Sequence, residues 1–325
     1  MARINLKELQ RQRISRDIRG KFILLYGLPG VGKTSLAAQF PNVLMVGFEQ
    51  GTNGIDNAYV AQMQSWGDFD DLVRQLVRDP EIKEKYHCIA IDTADEAWAM
   101  CERSVCAEHN VSSIGDIGYG KGYSETSKKY HDAMQLLTKA GYGVVFTAHS
   151  VEKTYKNEKG QEYPYLQPAL DRRPFDIINK MVDIIAYIRE ISVDDGKETK
   201  RERFMYLRDE QGERFLAKSR FKYMPSRIPL SYSALVSAIQ EACDKQASEN
   251  GSTATEDVNP YTKLDFDALI EEAKMLWGQV LQKDKNEEAQ DILKAIFGKP
   301  TKFSEILPDE VDKLNQAIID IKAIL

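Results

Sequence analysis

Short apolar runs alternate with stretches of helical periodicity over the first half of the chain. Phe22 to Tyr26, Val43 to Phe48, Cys88 to Ile91 and Gly143 to Thr147 are nearly continuous in apolar residues and too short for buried helices, which predicts strands covered on both faces. Between them, Ser35 to Phe40 opens a helix, and Trp66 to Val77, Ala94 to about Glu108 and a segment ending near Leu137 carry apolar residues at helical spacing. Strands alternating with helices predict an α/β fold built on a mostly parallel central sheet.

Past Thr147 the pattern changes. Met181 to Ile191 and Glu202 to Leu216 are expected to be longer strands around a turn at Asp194-Asp195-Gly196, followed by a helix from Ser231 to Cys243. Residues 244–262 are polar and rich in Gly, Ser and Thr, with Pro260 near the end, which predicts a flexible linker. In 263–325, Phe266, Leu269, Ile270, Ala273 and Leu276 share one helical face, and Val311, Leu314, Ile318 and Ile321 share another, as in a small helical C-terminal domain. The expected organisation is a basic N-terminal arm (1–20), a core (21–243), the linker (244–262) and the helical domain (263–325).

Composition narrows this picture. The 325 residues are 42% hydrophobic and 29% charged, which fits a globular chain, and the net charge of −6 excludes a molecule that is basic overall. Any contact with nucleic acid must come from a local basic patch and depend strongly on salt. Cys88, Cys101, Cys106 and Cys243 form no C-x-x-C pair, and Cys88 in its apolar strand is expected to be a buried free thiol. The first residues lack an apolar signal segment and no stretch has the length of a membrane span, so a cytoplasmic protein in a reducing compartment is expected.

The strongest chemical signal follows the first strand. Gly27-Leu28-Pro29-Gly30-Val31-Gly32-Lys33-Thr34 matches G-x-x-x-x-G-K-[ST] and opens a helix through Ser35. In such a loop the backbone N–H groups and the helix N-terminus cradle phosphates, Lys33 reaches the β- and γ-phosphates, and the Thr34 hydroxyl ligates Mg²⁺. ATP and Mg²⁺ are therefore the expected ligands. Asp92, ending the third apolar run, is the expected acidic partner of the Mg²⁺ site.

The order of strand, GLPGVGKT, strand ending near Glu49, CIAIDT and VVFTAHS resembles the RecA-like ATPase core. The resemblance implies that Glu49 polarises the attacking water, or is otherwise a solvated strand-end residue. It also implies that His149 senses the γ-phosphate, where RecA carries a Gln, or is otherwise structural. Ala217-Lys218-Ser219-Arg220 is similar to the K-x-R element of DnaB-like and KaiC-like relatives, which implies that Lys218 and Arg220 complete a neighbouring subunit's site in a ring or filament. The alternative is a solvated edge strand. Over residues 20–242 the chain most resembles phage-encoded ATPases with a shortened RecA-like core, including the Sak-type single-strand-annealing proteins that act with a single-strand-binding protein. Tyr119-Gly120-Lys121-Gly122-Tyr123, the TAHS strand end and the AKSR element carry that likeness.

The segment after the fourth strand stands where that family binds DNA. Lys153, Lys156 and Lys159 offer phosphate contacts and Tyr155 a stacking surface, although Glu152, Glu158 and Glu162 leave a solvated hairpin open as the other reading. The Tyr119–Tyr123 segment with Lys128 and Lys129 is a second candidate. A DNA-acting recombination ATPase is the expectation, and a KaiC-like oligomeric switch without a DNA substrate the alternative.

Overall fold

The computed structural model describes residues 13–156, 159–194, 199–209, 214–256, 266–283, 285–307 and 310–324. It divides into two compact units, one covering 13–259 and the other containing 260–325.

The larger unit is built on a mixed sheet. Strands β1 (Phe22–Gly27), β2 (Val43–Gly47), β3 (Tyr59–Gln62), β4 (Cys88–Asp92), β5 (Gly143–Lys156) and β7 (Ile184–Asp194) are joined in the order β7-β1-β5-β4-β2-β3, all parallel. Three further strands, β8 (Thr199–Tyr206), β9 (Lys218–Ser219) and β10 (Arg227–Pro229), add antiparallel pairs beyond β7. The expected α/β fold with a mostly parallel central sheet is present.

Alternation along β1 explains its continuous apolar run. Phe22, Leu24 and Tyr26 enter one core with Trp66, Phe69, Val73 and Leu76 of α2 (Trp66–Arg78) and Tyr130, Met134 and Leu137 of α5 (Lys121–Ala140). Ile23 and Leu25 enter a second core with Leu36 and Ala37 of α1 (Lys33–Ala37) and Leu235 and Ile239 of α7 (Tyr232–Glu249). A strand sandwiched this way gains from burial on both faces, about 1.5–3 kcal/mol per large side chain. Local signals set the helix starts: Ser65 and Asp68 form a reciprocal capping box at α2, and the Ser231 hydroxyl accepts from the Ala234 N–H at α7. Helix α3 (Pro80–Lys85) precedes β4, and α4 (Ala94–Glu108) opens directly after it.

The polar segment after the fourth strand forms the hairpin that its charges left open: β5 continues to Lys156 and pairs antiparallel with β6 (Glu162–Pro168). Several expectations are corrected. Met181 ends a helix, α6 (Arg172–Met181), rather than starting a strand, and β8 stops at Tyr206. The anticipated turn at 195–196 lies outside the described residues.

The stretch anticipated as a linker is helical through Glu249, because Ala242, Cys243 and Ala247 bury one small apolar face even though their neighbours are polar. Residues 253–256 then bond back to the start of the unit: Arg16 N–H donates to Thr255 O at 2.8 Å, and the Arg16 side chain pairs with Asp244 at 2.5 Å and Glu256 at 3.0 Å. Residues 13–20, anticipated as part of an arm, are thus tied to α7. Residues 1–12 and 257–262 lie outside the described residues.

In the second unit, α8 (Phe266–Gln282), α9 (Asn286–Phe297) and α10 (Val311–Ile324) bury Leu269, Ala273, Leu276, Leu293, Leu314, Ile318 and Ile321. Among the described residues, no helix is long and apolar enough to cross a membrane.

Candidate active site

The parallel register brings the ends of β1, β2 and β4 to one edge, beside the middle of β5. Gly27 of β1 lies beside His149 of β5, Gly47 of β2 beside Asp92 of β4, and Ile91 beside Phe146, which places Asp92 next to Thr147. Open α/β sheets bind ligands at this carboxyl edge.

Backbone geometry makes the glycine loop. A Cβ on Gly27 would stand 2.4 Å from the Ile188 carbonyl oxygen, so any side chain there collides with β7 backbone. Gly30 and Gly32 have φ of +74° and +106°, the left-handed region where a side chain is strained. Leu28 at the loop tip is exposed, and Gly32 caps α1, so the amide ends of Lys33, Thr34 and Ser35 open toward the concavity. The Lys33 ammonium is buried and donates to the carbonyls of Gly27 and Leu28, each at 3.0 Å. Burial lowers its pKa, while Asp92, Glu49 and Asp95 oppose that shift.

Asp92 is fully buried and receives two hydroxyls. Thr34 Oγ1 lies 3.2 Å from each of its carboxylate oxygens, and the Thr147 hydroxyl donates to Oδ1. The predicted pair Thr34–Asp92 is therefore brought together across the sheet. Hard oxygen donors, few in number and beside a phosphate cradle, suit Mg²⁺, which keeps waters and substrate oxygens in its shell. Thr147 was missed from the sequence. Its signal was a hydroxyl inside an otherwise apolar run, on the strand adjacent to that of Asp92.

Glu49 follows β2, where the Phe48 N–H donates to the Asp92 carbonyl at 2.7 Å and pins the chain to β4. A Cβ on Gly51 would lie 3.4 Å from Glu49 Oε1 and 3.5 Å from Asp92 Oδ2, so the two carboxylates flank the same glycine. Burial raises the Glu49 pKa; His149 opposes this, and Asp92, Asp95 and Glu96 reinforce it. His149 Nδ1 lies 3.4 Å from Asp95 Oδ2. Nearby, Thr93 Oγ1, Asp95 Oδ1 and Ser150 Oγ are buried and have no hydrogen-bond partner among the described residues. Unpaired buried polar atoms are costly in a finished core and common where a ligand completes the hydrogen bonding.

Other predicted residues lie elsewhere. Lys218 donates to Asn179 O at 2.6 Å and Asn179 Oδ1 at 3.0 Å, and Arg220 pairs with Asp183 at 3.2 Å and donates to Lys180 O at 2.6 Å. Burial lowers the Lys218 pKa, with Arg220 adding to the shift. The Arg220 N–H bonds Asp183 O, and the Asp183 N–H bonds Phe22 O, so Arg220 sits level with the start of β1. That is about 17 Å along the strand from the phosphate loop of its own chain, at ~3.3 Å per residue.

On the hairpin, register separates the predicted set. Lys153 and Tyr155 stand opposite Tyr165 and Tyr163, sharing one face, whereas Lys156 stands opposite Glu162 on the other face and pairs with it at 3.3 Å. Tyr155 packs against both tyrosines, and the Arg214 guanidinium lies 5.3 Å from the Tyr163 ring. Lys159 is exposed beside the turn. In the second candidate segment, Tyr119 is fully exposed, Arg173 stacks on Tyr123 at 4.2 Å, and Lys129 is engaged by Glu108 and Ser104. All four cysteines are free and buried, and burial pushes the Cys88 thiol up to about 12.

Residues 19–221, which hold the loop and the strands that carry the site, match a family described as an AAA domain (AAA_24). The chain belongs to this AAA-domain family of P-loop ATPases. The match begins just before β1 and ends just beyond Arg220, so the AAA domain includes the hairpin and β9 but excludes α7 and the C-terminal helices. The chain is also similar to the SPbeta prophage-derived uncharacterized protein YorG of Bacillus subtilis (strain 168), at 27% identity over 320 residues and 96% of each chain.

Proposed function

We propose that this AAA-domain protein binds ATP with Mg²⁺ and hydrolyses it, with a RecA-like division of labour at the carboxyl edge of the sheet. The observation that carries the reading is the convergence of Thr34, Thr147 and Asp92 beneath the phosphate loop. Thr34 and Asp92 would hold the cation, which supplies charge neutralisation on the phosphates when bound. Lys33 exchanges its two loop carbonyls for β- and γ-phosphate oxygens. Glu49 orients the attacking water and takes its proton, and His149, beside Gly27, reads the γ-phosphate.

We further propose that the substrate is single-stranded DNA, handled in phage-type recombination by annealing or strand pairing, with a single-strand-binding protein as partner. Support comes from the hairpin, whose Lys153, Tyr155, Tyr163, Tyr165 and Arg214 face offers aromatic surface beside cations, the combination that binds single strands. The prophage origin named for YorG fits that setting. Lys218 and Arg220 are too far from their own loop to serve it, which supports a role across a head-to-tail subunit contact in a ring or filament. ATP hydrolysis with and without single-stranded DNA tests the reading: strong stimulation is expected. Hydrolysis that ignores DNA would favour a KaiC-like nucleotide-gated switch, and no hydrolysis at all would overturn the proposal.

A further inference from the structure

A second cation stands beside the phosphate loop in the same chain, on a strand the loop motif does not include. Arg203 of β8 lies opposite Glu190 of β7, and β7 runs parallel to β1 with Ile188 level with Gly27. Glu190 and Arg203 therefore sit just past the loop's own level, at the carboxyl edge. A Cβ on Gly32 would stand 3.6 Å from an Arg203 guanidinium nitrogen and 3.0 Å from Leu230 Cδ2. The Leu230 N–H donates to the Arg203 carbonyl at 2.9 Å, so both residues reach the loop as one unit.

The guanidinium is half-exposed and lightly held. Arg203 Nε pairs with Glu190 Oε2 at 3.2 Å, and Glu190 is shared with Arg201 at 3.5 Å. Among the described residues, the two terminal nitrogens of Arg203 donate to no protein acceptor. A guanidinium fork matches phosphate oxygens in geometry and charge. The amides around Gly32 serve the phosphates nearest the nucleoside, whereas Glu49 and Asp92 belong to the γ-phosphate end.

We propose that Arg203 binds the diphosphate portion of the nucleotide held by its own chain's loop, leaving Glu190 as it does so. Glu190 is a competing anion that positions the guanidinium beside Gly32 and releases it to the ligand. This rests on the ATP reading above, and it distinguishes Arg203 from a cation that acts on the γ-phosphate, since a diphosphate contact serves ADP and ATP alike.

The test is equilibrium binding of ADP and ATP to the full chain with Mg²⁺, for wild type, Arg203→Ala, Arg203→Lys, Glu190→Gln and the Glu190→Gln/Arg203→Ala double variant. Arg203→Ala should weaken both nucleotides by the same factor, roughly tenfold or more. Arg203→Lys should recover part of that loss. Glu190→Gln should tighten both a few-fold, and should have no effect once Arg203 is alanine. Wild-type affinity for ADP in Arg203→Ala overturns the proposal, as does a loss confined to ATP. An effect of Glu190→Gln that persists in the double variant overturns the competition. Wild-type protein that binds neither nucleotide overturns the ATP reading itself, and this proposal with it.

Discussion

The two ends of the central sheet treat their charged groups differently. At the amino end, Lys218 and Arg220 are satisfied within the chain, by Asn179, Asp183 and the Lys180 carbonyl, and the Lys21 ammonium is buried on Ser15 O at 2.9 Å. At the carboxyl end, Lys33 rests on loop carbonyls, Asp92 collects hydroxyls, and Thr93, Asp95 and Ser150 keep buried oxygens unpaired among the described residues. Buried lysines rest on neutral oxygens at both ends, so what separates the carboxyl end is its phosphate loop and the buried oxygens beside it, among the described residues unpaired, which a bound ligand can complete.

The largest effect should come from the carboxyl end. Lys33→Ala should abolish ATP hydrolysis and weaken triphosphate binding, read by phosphate release and by calorimetry. Near-normal turnover in that variant would remove the ligand-exchange role of this end.

Arg220→Ala decides whether the amino end is purely structural. If Arg220 serves a neighbouring subunit, turnover should fall about 10³-fold or more with ATP affinity per subunit retained. Mixing it with Lys33→Ala should then restore activity, because one mixed contact regains an intact loop and an intact cation. If its bond to Asp183 is all that matters, activity stays and thermal melting shows a loss of about 1–3 kcal/mol, since Asp183 is left largely buried without its partner.

Glu49→Gln should retain ATP and cut turnover by about 10²–10⁴. Burial raises the Glu49 carboxyl from its ordinary value. A base acts deprotonated, so the rate should fall as pH drops through that raised value. The acid limb should vanish in Glu49→Gln. A limb that survives the substitution assigns the titration to another group.

The smallest effects belong to the hairpin, where the comparison is between faces. Tyr155→Ala should weaken single-stranded DNA binding by about 1–3 kcal/mol, and Lys153→Ala should lower the salt slope by about 1. Lys156→Ala should do less, because its ammonium faces the other way and is already paired with Glu162. Equal losses from Lys153→Ala and Lys156→Ala in a salt titration would show that the turn, not the tyrosine face, meets the strand.

Legibility followed the range of the interactions involved. The phosphate loop, Asp92 and the four apolar strands could be read along the chain because each depends on neighbours within a few residues: glycines where φ is positive, and apolar runs long enough to cross a covered sheet. Strand β3 was overlooked since Tyr59 and Val60 stay exposed at a sheet edge and leave no apolar run. Helix α7 outran its expected end because Ala247, buried at 0% exposure, continues the apolar face with a single small residue per turn. The hairpin hid its faces behind a mixture of charges that only register can sort.

By itself, then, the chain specifies a phosphate-binding turn after a buried strand, an acidic residue at the end of another, and an α/β alternation to carry them, since all of these are written in local conformation and periodicity. Tertiary structure alone decides that Thr147 meets Asp92, that Arg203 and Leu230 flank Gly32, and that Arg220 lies at the far end of the sheet from its own loop. Those relations depend on strand order and register. In a parallel sheet they are set by which faces must be buried together, a constraint that no stretch of sequence carries alone.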